Sequence, residues 1–357
     1  MADASSQSYG ALVWARYKRA PLGIAGAILM AVLMALVLLG SFLAPHDPDR
    51  RFEPFMPPSS IGFSGDGVGI AARNPVETGL LDPVTAQPII SIAGTSAVPL
   101  GFLVRGDKHR LFGLVPTDRH FLGPKSSASA VHFLGTDRFG RDILSRAIMG
   151  ARISLLLALT VVTITTSLGL LLGLTAGYLG GAFDRWSQRL VDFVLAFPQL
   201  PLYLALGALI PVTISSGGFL LIMVGVMSVL GWAGLSREVR SKTLSFAQTD
   251  YVRAAIALGA SPWRVIGRHM APNLLSHVVV SFTLTLPAIV LLESFLGFLG
   301  LAVKPPLISW GLMLQDAGNF AAIGSYPWIL SPVIFVFITV FALNSVGDAL
   351  RDAIDPY

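Results

Sequence analysis

From Phe193 to Ser236 the chain runs for 44 residues without a charged side chain. A membrane-spanning helix needs about 20 predominantly apolar residues, so this run is too long for one helix and suits two. Pro198, Pro201, Pro211 and the "SSGG" turn at Ser215–Gly218 supply the punctuation that divides it. Four further stretches read the same way. They are Pro21–Ala44, Ile153–Phe183 with an end near Tyr178, Met270–Gly300 interrupted only by Glu293, and Ala317–Gly347 with a start near Trp328. Six spans are therefore expected. Only 13% of the residues are charged, about half the roughly 25% of soluble domains, which supports a polytopic membrane protein over a soluble one.

Residues 1–20 read as a cytoplasmic tail carrying Arg16, Lys18 and Arg19. The 24-residue apolar run that follows, at 21–44, exceeds the roughly 7–15-residue core of a signal peptide and reads as a retained first span. Orientation follows from Lys and Arg in short loops. The loop between spans four and five has Arg237, Arg240, Lys242, Arg253, Arg264 and Arg268 against Glu238 and Asp250, whereas the next loop has only Lys304. Both termini and the loop at 237–273 are thus expected in the cytoplasm. Residues 45–150 are expected outside, 151–350 form a five-span core, and 351–357 are a cytoplasmic tail. The external segment has 11 Lys/Arg and 10 Asp/Glu, but loops beyond about 60 residues escape the charge rule. Its runs "PIISIAG" and "HRLFGLV" suggest a small domain with short strands; a disordered loop is the alternative.

Several chemistries are missing. The chain has no cysteine, hence no disulfide, thiolate metal site or cysteine nucleophile. It has no G-x-x-x-x-G-K-[ST] phosphate loop, no H-E-x-x-H metal motif and no G-x-S-x-G elbow. Charges within the spans are nearly absent, unlike the carboxylates of ion-coupled pumps. The residues describe neither an enzyme nor a self-powered pump, and no metal is expected.

The loop stretch "DYVRAAIALGASPWRVIGRHMAPN", Asp250–Asn273, is dense in helix signals. Asp250 can cap a helix of two turns, Tyr251–Leu258. Val252, Ala255, Ile256 and Gly259 share one face, with Arg253 off it. Gly259 suits the left-handed position after a helix, with Ala260 next in the turn, Ser261 suits an N-cap and Pro262 the first helical position. A second helix, Trp263–His269, carries Arg264 and Arg268 four apart, and Pro272 precedes span five. Three readings compete: a basic loop on lipid headgroups, a rigid knob for a cytoplasmic partner with Ala254–Ala255 permitting close approach, and a DNA-binding helix-turn-helix. The last is disfavoured because the insert is short and close to the membrane, so no nucleic acid is expected.

This stretch resembles the "EAA" loop of ATP-binding cassette importer permeases, E-A-A, three residues, G, nine residues, I-x-L-P. Arg253-Ala254-Ala255, Gly259 and Pro272 keep that spacing, while Arg253 replaces the Glu, and His269 and Ala271 stand at the Ile and Leu positions. The departures at Arg253 and His269 are similar to the dipeptide/oligopeptide branch; Ala271 departs from it. Phe133–Leu155, Leu299–Ala317, Asn344–Tyr357 and the stretch from Trp14 also resemble that branch, so the likeness covers Trp14–Ala44 and Phe133–Tyr357. No motif maps onto His46–His132.

The resemblance implies an all-α transmembrane fold, the six-helix type I ABC importer permease, with an external insert between spans one and two. It implies a bacterial inner-membrane location and pairing with a second homologous permease. It further implies two cytoplasmic ATPases, which carry the ATP and Mg and dock on this loop, and an external solute-binding protein. No cofactor is expected in this chain. Substrates of the branch include di- and oligopeptides, opines, glycosides, metal chelates and peptide antibiotics. An ion-coupled transporter and a non-transporting anchor or receptor are the rival classes. Glu293 reads either as a pore or inter-subunit residue or as a helix-packing one. Asp137, Arg138, Arg141 and Asp142 read either as an external amphipathic helix touching the binding protein or as an internal salt-bridged cap. Trp310 stands at a family position in an outer loop and could touch the binding protein; an interfacial aromatic anchor is the favoured reading.

Overall fold

The structure is a computed structural model that describes residues 9–63, 70–81, 83, 88–91, 97–111, 114–126, 129–318 and 320–354. The chain divides into two compact units, 1–30 with 156–292 and 340–357, and 31–155 with 293–339. The expected tail residues 1–8 and 355–357, and 92–94 of "PIISIAG", lie outside the described residues.

A short helix α1 (Tyr9–Tyr17) precedes α2 (Pro21–Leu43), the first span. Then follow α3 (Ile143–Leu179), α4 (Gly181–Ala196), α5 (Gln199–Ala208), α6 (Ser216–Gly231), α7 (Ala233–Phe246), α8 (Asp250–Ala257) and α9 (Pro262–Arg264). A π-helical turn, Val265–Met270, leads into α10 (Ala271–Phe298). The chain ends with α11 (Trp310–Leu314), a 3₁₀ turn, α12 (Phe320–Ser325), a second 3₁₀ turn and α13 (Pro332–Ile354). Among the described residues five helices are long and apolar enough to cross a membrane: Pro21–Leu43, Ile143–Leu179, Ser216–Phe246, Pro262–Phe298 and Pro327–Ile354. A sixth crossing exists only if α4 and α5, bent by 81°, count as one. The expected third span is therefore a broken element. Phe197 stands before Pro198 with extended angles, φ −91° and ψ 138°, because a residue preceding proline is pushed out of the helical region.

In the first unit a stripe of small residues sets helix packing. Gly169, Gly173 and Gly177 of α3 recur every fourth residue, and α7 with the preceding Trp232 lies directly on them. A Cβ at Gly173 would meet the Ser236 carbonyl oxygen at 2.6 Å, and one at Gly177 would meet Thr243 Cβ at 2.7 Å. Small-xxx-small spacing lets helix backbones approach in membranes, where packing replaces the hydrophobic effect. Two ion pairs fix α7 to α4: Arg240 grips Asp184 with two bonds of 2.5 and 2.6 Å, and Arg237 Nη2 bonds Asp192 at 2.6 Å.

In the second unit the expected external segment carries strands. They are β1 (Ser60–Phe63), β2 (Ile70–Arg73), β3 (Val76–Leu81), β4 (Pro88–Ser91), β5 (Val98–Leu111) and β6 (Val115–Pro124). An antiparallel sheet runs in the order β1-β2-β5-β6, with β3-β4 a separate hairpin. The core beneath the sheet is small, Ala72, Leu100 and Val131 with Val98 and Phe133 against them. Buried histidines tie the segment down: His46 Nε2 lies 3.0 Å from the Val131 carbonyl oxygen, and His132 Nδ1 lies 3.1 Å from Asp142 Oδ1.

Candidate functional site

Of the segment 237–273 expected as the loop between spans four and five, Arg237–Phe246 complete the helix α7 and the loop proper begins at Ala247. Thr249, not Asp250, is the N-cap residue of α8, with extended angles. Its hydroxyl donates to the Phe246 carbonyl at 2.6 Å, so the chain is turned by Thr249 and Asp250 falls in the first helical turn, where a carboxylate complements the helix dipole. The inward side of α8 is narrower than expected. Val252 is fully buried among Leu174, Val239, Val265, Ile266, Met270 and Leu274, and Ala255 is half-buried, but Ile256 is exposed.

The helix ends in a Schellman arrangement. Gly259 adopts φ +83°, its N–H donates to the Ile256 carbonyl at 2.9 Å and the Ala260 N–H to the Ala255 carbonyl at 3.0 Å. Ser261 then takes the N-cap position and Pro262 opens α9. Arg253, Ala254, Arg264 and Arg268 are exposed. So are four apolar side chains around the bend: Tyr251, Ile256, Leu258 (89% exposed) and Trp263 (67%). Leu258 and Trp263 were not singled out from the sequence; their signal was an apolar side chain off the inward face of a polar loop.

The π turn explains how Pro272 sits inside a continuous helix. A proline lacks the N–H and crowds the carbonyl four residues back. The wider turn, with the Ala271 N–H bonded to the Ile266 carbonyl, carries one extra residue just before it. Asn273 Nδ2 completes the junction, donating to the His269 carbonyl at 2.6 Å and to Tyr251 Oη at 3.1 Å. Tyr251 thereby ties α8 to α10. Nearby, Glu238, Lys242, Asn273, His277, Thr285 and Arg351 are among the residues lining an open cavity of about 760 Å³.

The remaining candidates lie in the second unit. Glu293 is fully buried, and Ser154 Oγ donates to its Oε2 at 3.0 Å. Ser154 Oγ also accepts the Trp310 N–H at 3.1 Å, and Trp310 Nε1 donates to the Ala147 carbonyl at 2.8 Å. Trp310 is fully buried, so it is no interfacial anchor: its indole is locked into α3. Residues 137–141 form a turn instead of a helix, because Asp137 accepts the N–H groups of Phe139 (2.8 Å) and Arg141 (2.9 Å) and pairs with Arg141 Nε at 2.7 Å. Asp142 caps α3, accepting the Ser145 N–H at 2.8 Å. Arg138 is the accessible member of the group and bonds Asp316 at 2.8 Å. Burial pushes the Asp316 carboxyl above the usual range, against the pull of Arg138. Among the described residues no cluster of His, Asp and Glu could hold a metal ion.

Long apolar helices interrupted by one bent, surface-presenting loop define a multi-span membrane protein. The family model described as "Binding-protein-dependent transport system inner membrane component" matches residues 169–357, and "N-terminal TM domain of oligopeptide transport permease C" matches residues 8–58. The oligopeptide transport system permease protein OppC of Haemophilus influenzae is 37% identical over 241 residues, 67% of this chain and 75% of that protein. OppC of Bacillus subtilis is 37% identical over 238 residues, 66% and 75%. The dipeptide transport system permease protein DppC of Bacillus subtilis is 36% identical over 228 residues, 64% and 69%. The chain belongs to the family of binding-protein-dependent transport system inner membrane components, in its oligopeptide/dipeptide permease group. It is a multi-pass membrane permease of an ATP-binding cassette importer, and the family is one of transport subunits, not enzymes.

Proposed function

We propose that this chain forms a translocation path for peptides or peptide-like solutes with a second homologous permease, and that cytoplasmic ATPases drive it through the loop Arg237–Asn273. In this reading both termini and the loop face the cytoplasm and an external binding protein delivers the solute. The observation that carries the reading is the bend itself. Exposed apolar side chains, Tyr251, Ile256, Leu258 and Trp263, surround a Schellman turn whose second arm continues without a joint into α10. Such a surface beside the membrane suits a protein groove, and Ala254 lets a partner backbone come close. The polar cavity holds carboxylate, ammonium, guanidinium and imidazole groups, a set suited to a solute with both charges. Arg138 with the exposed Phe139 is the contact proposed for the binding protein. Glu293, Ser154 and Trp310 are proposed as an intra-chain latch.

Co-expression with candidate ATPases, co-purification and ATP-dependent peptide uptake by proteoliposomes test the proposal. Leu258→Glu with Trp263→Glu should leave membrane insertion intact and abolish ATPase retention. A wild-type chain that retains no ATPase and supports no uptake would sink the importer reading; a double variant that retains its ATPase fully would sink the loop's role.

A further inference from the structure

The long hairpin β5–β6 lies against the end of the first span, and the direction in which it runs is fixed by three contacts. Asp107 Oδ2 accepts the Asp47 N–H at 3.0 Å, beyond the end of α2. His120 Nδ1 lies 2.6 Å from the Ala44 carbonyl oxygen, at the helix end. Ser41 Oγ, one turn inside the helix, donates to the Arg110 carbonyl at 3.3 Å. From Asp107 to Arg110 the strand therefore descends along α2 toward the membrane. Phe121 packs edge-on against Phe42 at 6.1 Å and Phe102 at 5.6 Å along the same seam.

Depth follows from length. The 24-residue apolar run 21–44 spans about 36 Å at 1.5 Å per residue, against a hydrocarbon core of about 30 Å. Each end then reaches about 3 Å into the headgroup layer, and Ser41, roughly 4.5 Å inward of Ala44, stands near the hydrocarbon boundary. The hairpin continues past Arg110 to the pair Leu111–Val115, and strands advance about 3.3 Å per residue. Leu114 and Val115, 80% and 57% exposed, thus project at or just below that boundary. The Leu114 N–H donates to the Leu111 carbonyl at 3.0 Å, so this donor is satisfied within the hairpin, as backbone polar groups in lipid require. Behind the apolar tip come the exposed cations Lys108, Arg110 and Arg119, placed to reach headgroup phosphates while their stems lie in the interface.

We propose that the β5–β6 hairpin is a membrane-interface anchor whose tip, Leu114 and Val115, dips into the leaflet on the insert's side, with Lys108, Arg110 and Arg119 on lipid phosphates. The inference needs α2 to be a span but not the transport reading. Because the chain has no cysteine, Leu114→Cys, or Val115→Cys should the first fold poorly, carries one environment-sensitive fluorophore in the assembled transporter. Glu53→Cys, exposed and ten residues beyond α2, is the aqueous control. In vesicles of phosphatidylcholine and phosphatidylglycerol the tip label should emit blue-shifted, resist aqueous iodide and be quenched by nitroxides on headgroups or shallow acyl positions, while the control shows the reverse. A tip label quenched by iodide without a blue shift would overturn the anchor. A blue-shifted label untouched by lipid nitroxides would overturn it too, showing a protein partner over the tip.

Discussion

Replacing Gly259 isolates the conformational contribution to the proposed coupling. A Cβ there meets no atom within 4 Å, so alanine adds no clash and acts only through φ, which stands at +83°. Holding an L-residue in the left-handed region costs about 1–2 kcal/mol. The arm that must absorb this is weak. α8 has 8 residues, below the roughly 12–15 needed for an isolated helix, and its fully buried side chain is Val252, worth about 1.5–3 kcal/mol. Gly259→Ala should lower the population of the bent loop about 5–30-fold. Gly259→Val should do worse, because a β-branched residue is a severe outlier at this angle. Gly259→Asn should recover much of the loss, since asparagine tolerates the left-handed region. The assay is ATP hydrolysis by the reconstituted complex, stimulated by binding protein with solute, beside the amount of inserted permease. Unchanged insertion with stimulation falling in the order Gly, Asn, Ala, Val is expected. Full stimulation in the valine variant, or asparagine as damaging as valine, would refute the reasoning.

Three further outcomes follow from other contacts. Gly173→Leu, forced against the Ser236 carbonyl, should cost about 1–3 kcal/mol or more and lower the unfolding temperature in detergent, whereas Gly225→Ala, with open space around it, should not. Trp310→Ala should cost about 3–5 kcal/mol and free the N-terminal end of α3 to faster hydrogen exchange; an unchanged exchange pattern would count against the latch. Burial lowers the imidazole pKa of His46 and of His109 from the ordinary 6.5, so the folded segment prefers both rings neutral. Their contribution is complete above about pH 6.5 and is lost as pH falls below it, when the unfolded chain takes up protons first. Limited proteolysis of the segment should accelerate between pH 7 and pH 5; a flat rate would contradict this.

The sequence spoke clearly where one residue type decides one local geometry. Charge-free runs mark the spans because lipid excludes charge. Gly259, Ser261 and Pro262 mark the bend because each suits a single backbone position. It spoke less clearly where the deciding partner is remote. Asp142 looks like a surface charge until Ser145 and His132 are seen around it. Trp310 looks like an interfacial anchor until Ala147 and Ser154 of α3 claim both its N–H groups. Phe193–Ser236 reads as two spans with prolines as punctuation, but the run does not say that the phenylalanine–proline step at 197–198 falls within the first of them and bends it by 81°. The four-residue spacing of Gly169, Gly173 and Gly177 went unread in the sequence, and it does not say that α7 is the helix packed on them.

The π turn before Pro272 has a bearing on register. A turn of this kind holds one residue more than an α-helical turn, and one residue is worth about 100° of rotation along an α-helix. The angular phase between Trp263 and the polar side chains Asn273 and His277 is therefore set by residue count as much as by residue chemistry. A deletion of Gly267, whose surroundings are open, would preserve every side chain of the bend and let the turn relax to an ordinary α-helix. Because the π turn seats five residues where an α turn seats four, that single deletion would leave Trp263 close to its register with α10. A further deletion between Pro262 and Pro272 has no such slack and would rotate Trp263 by about 100° against α10.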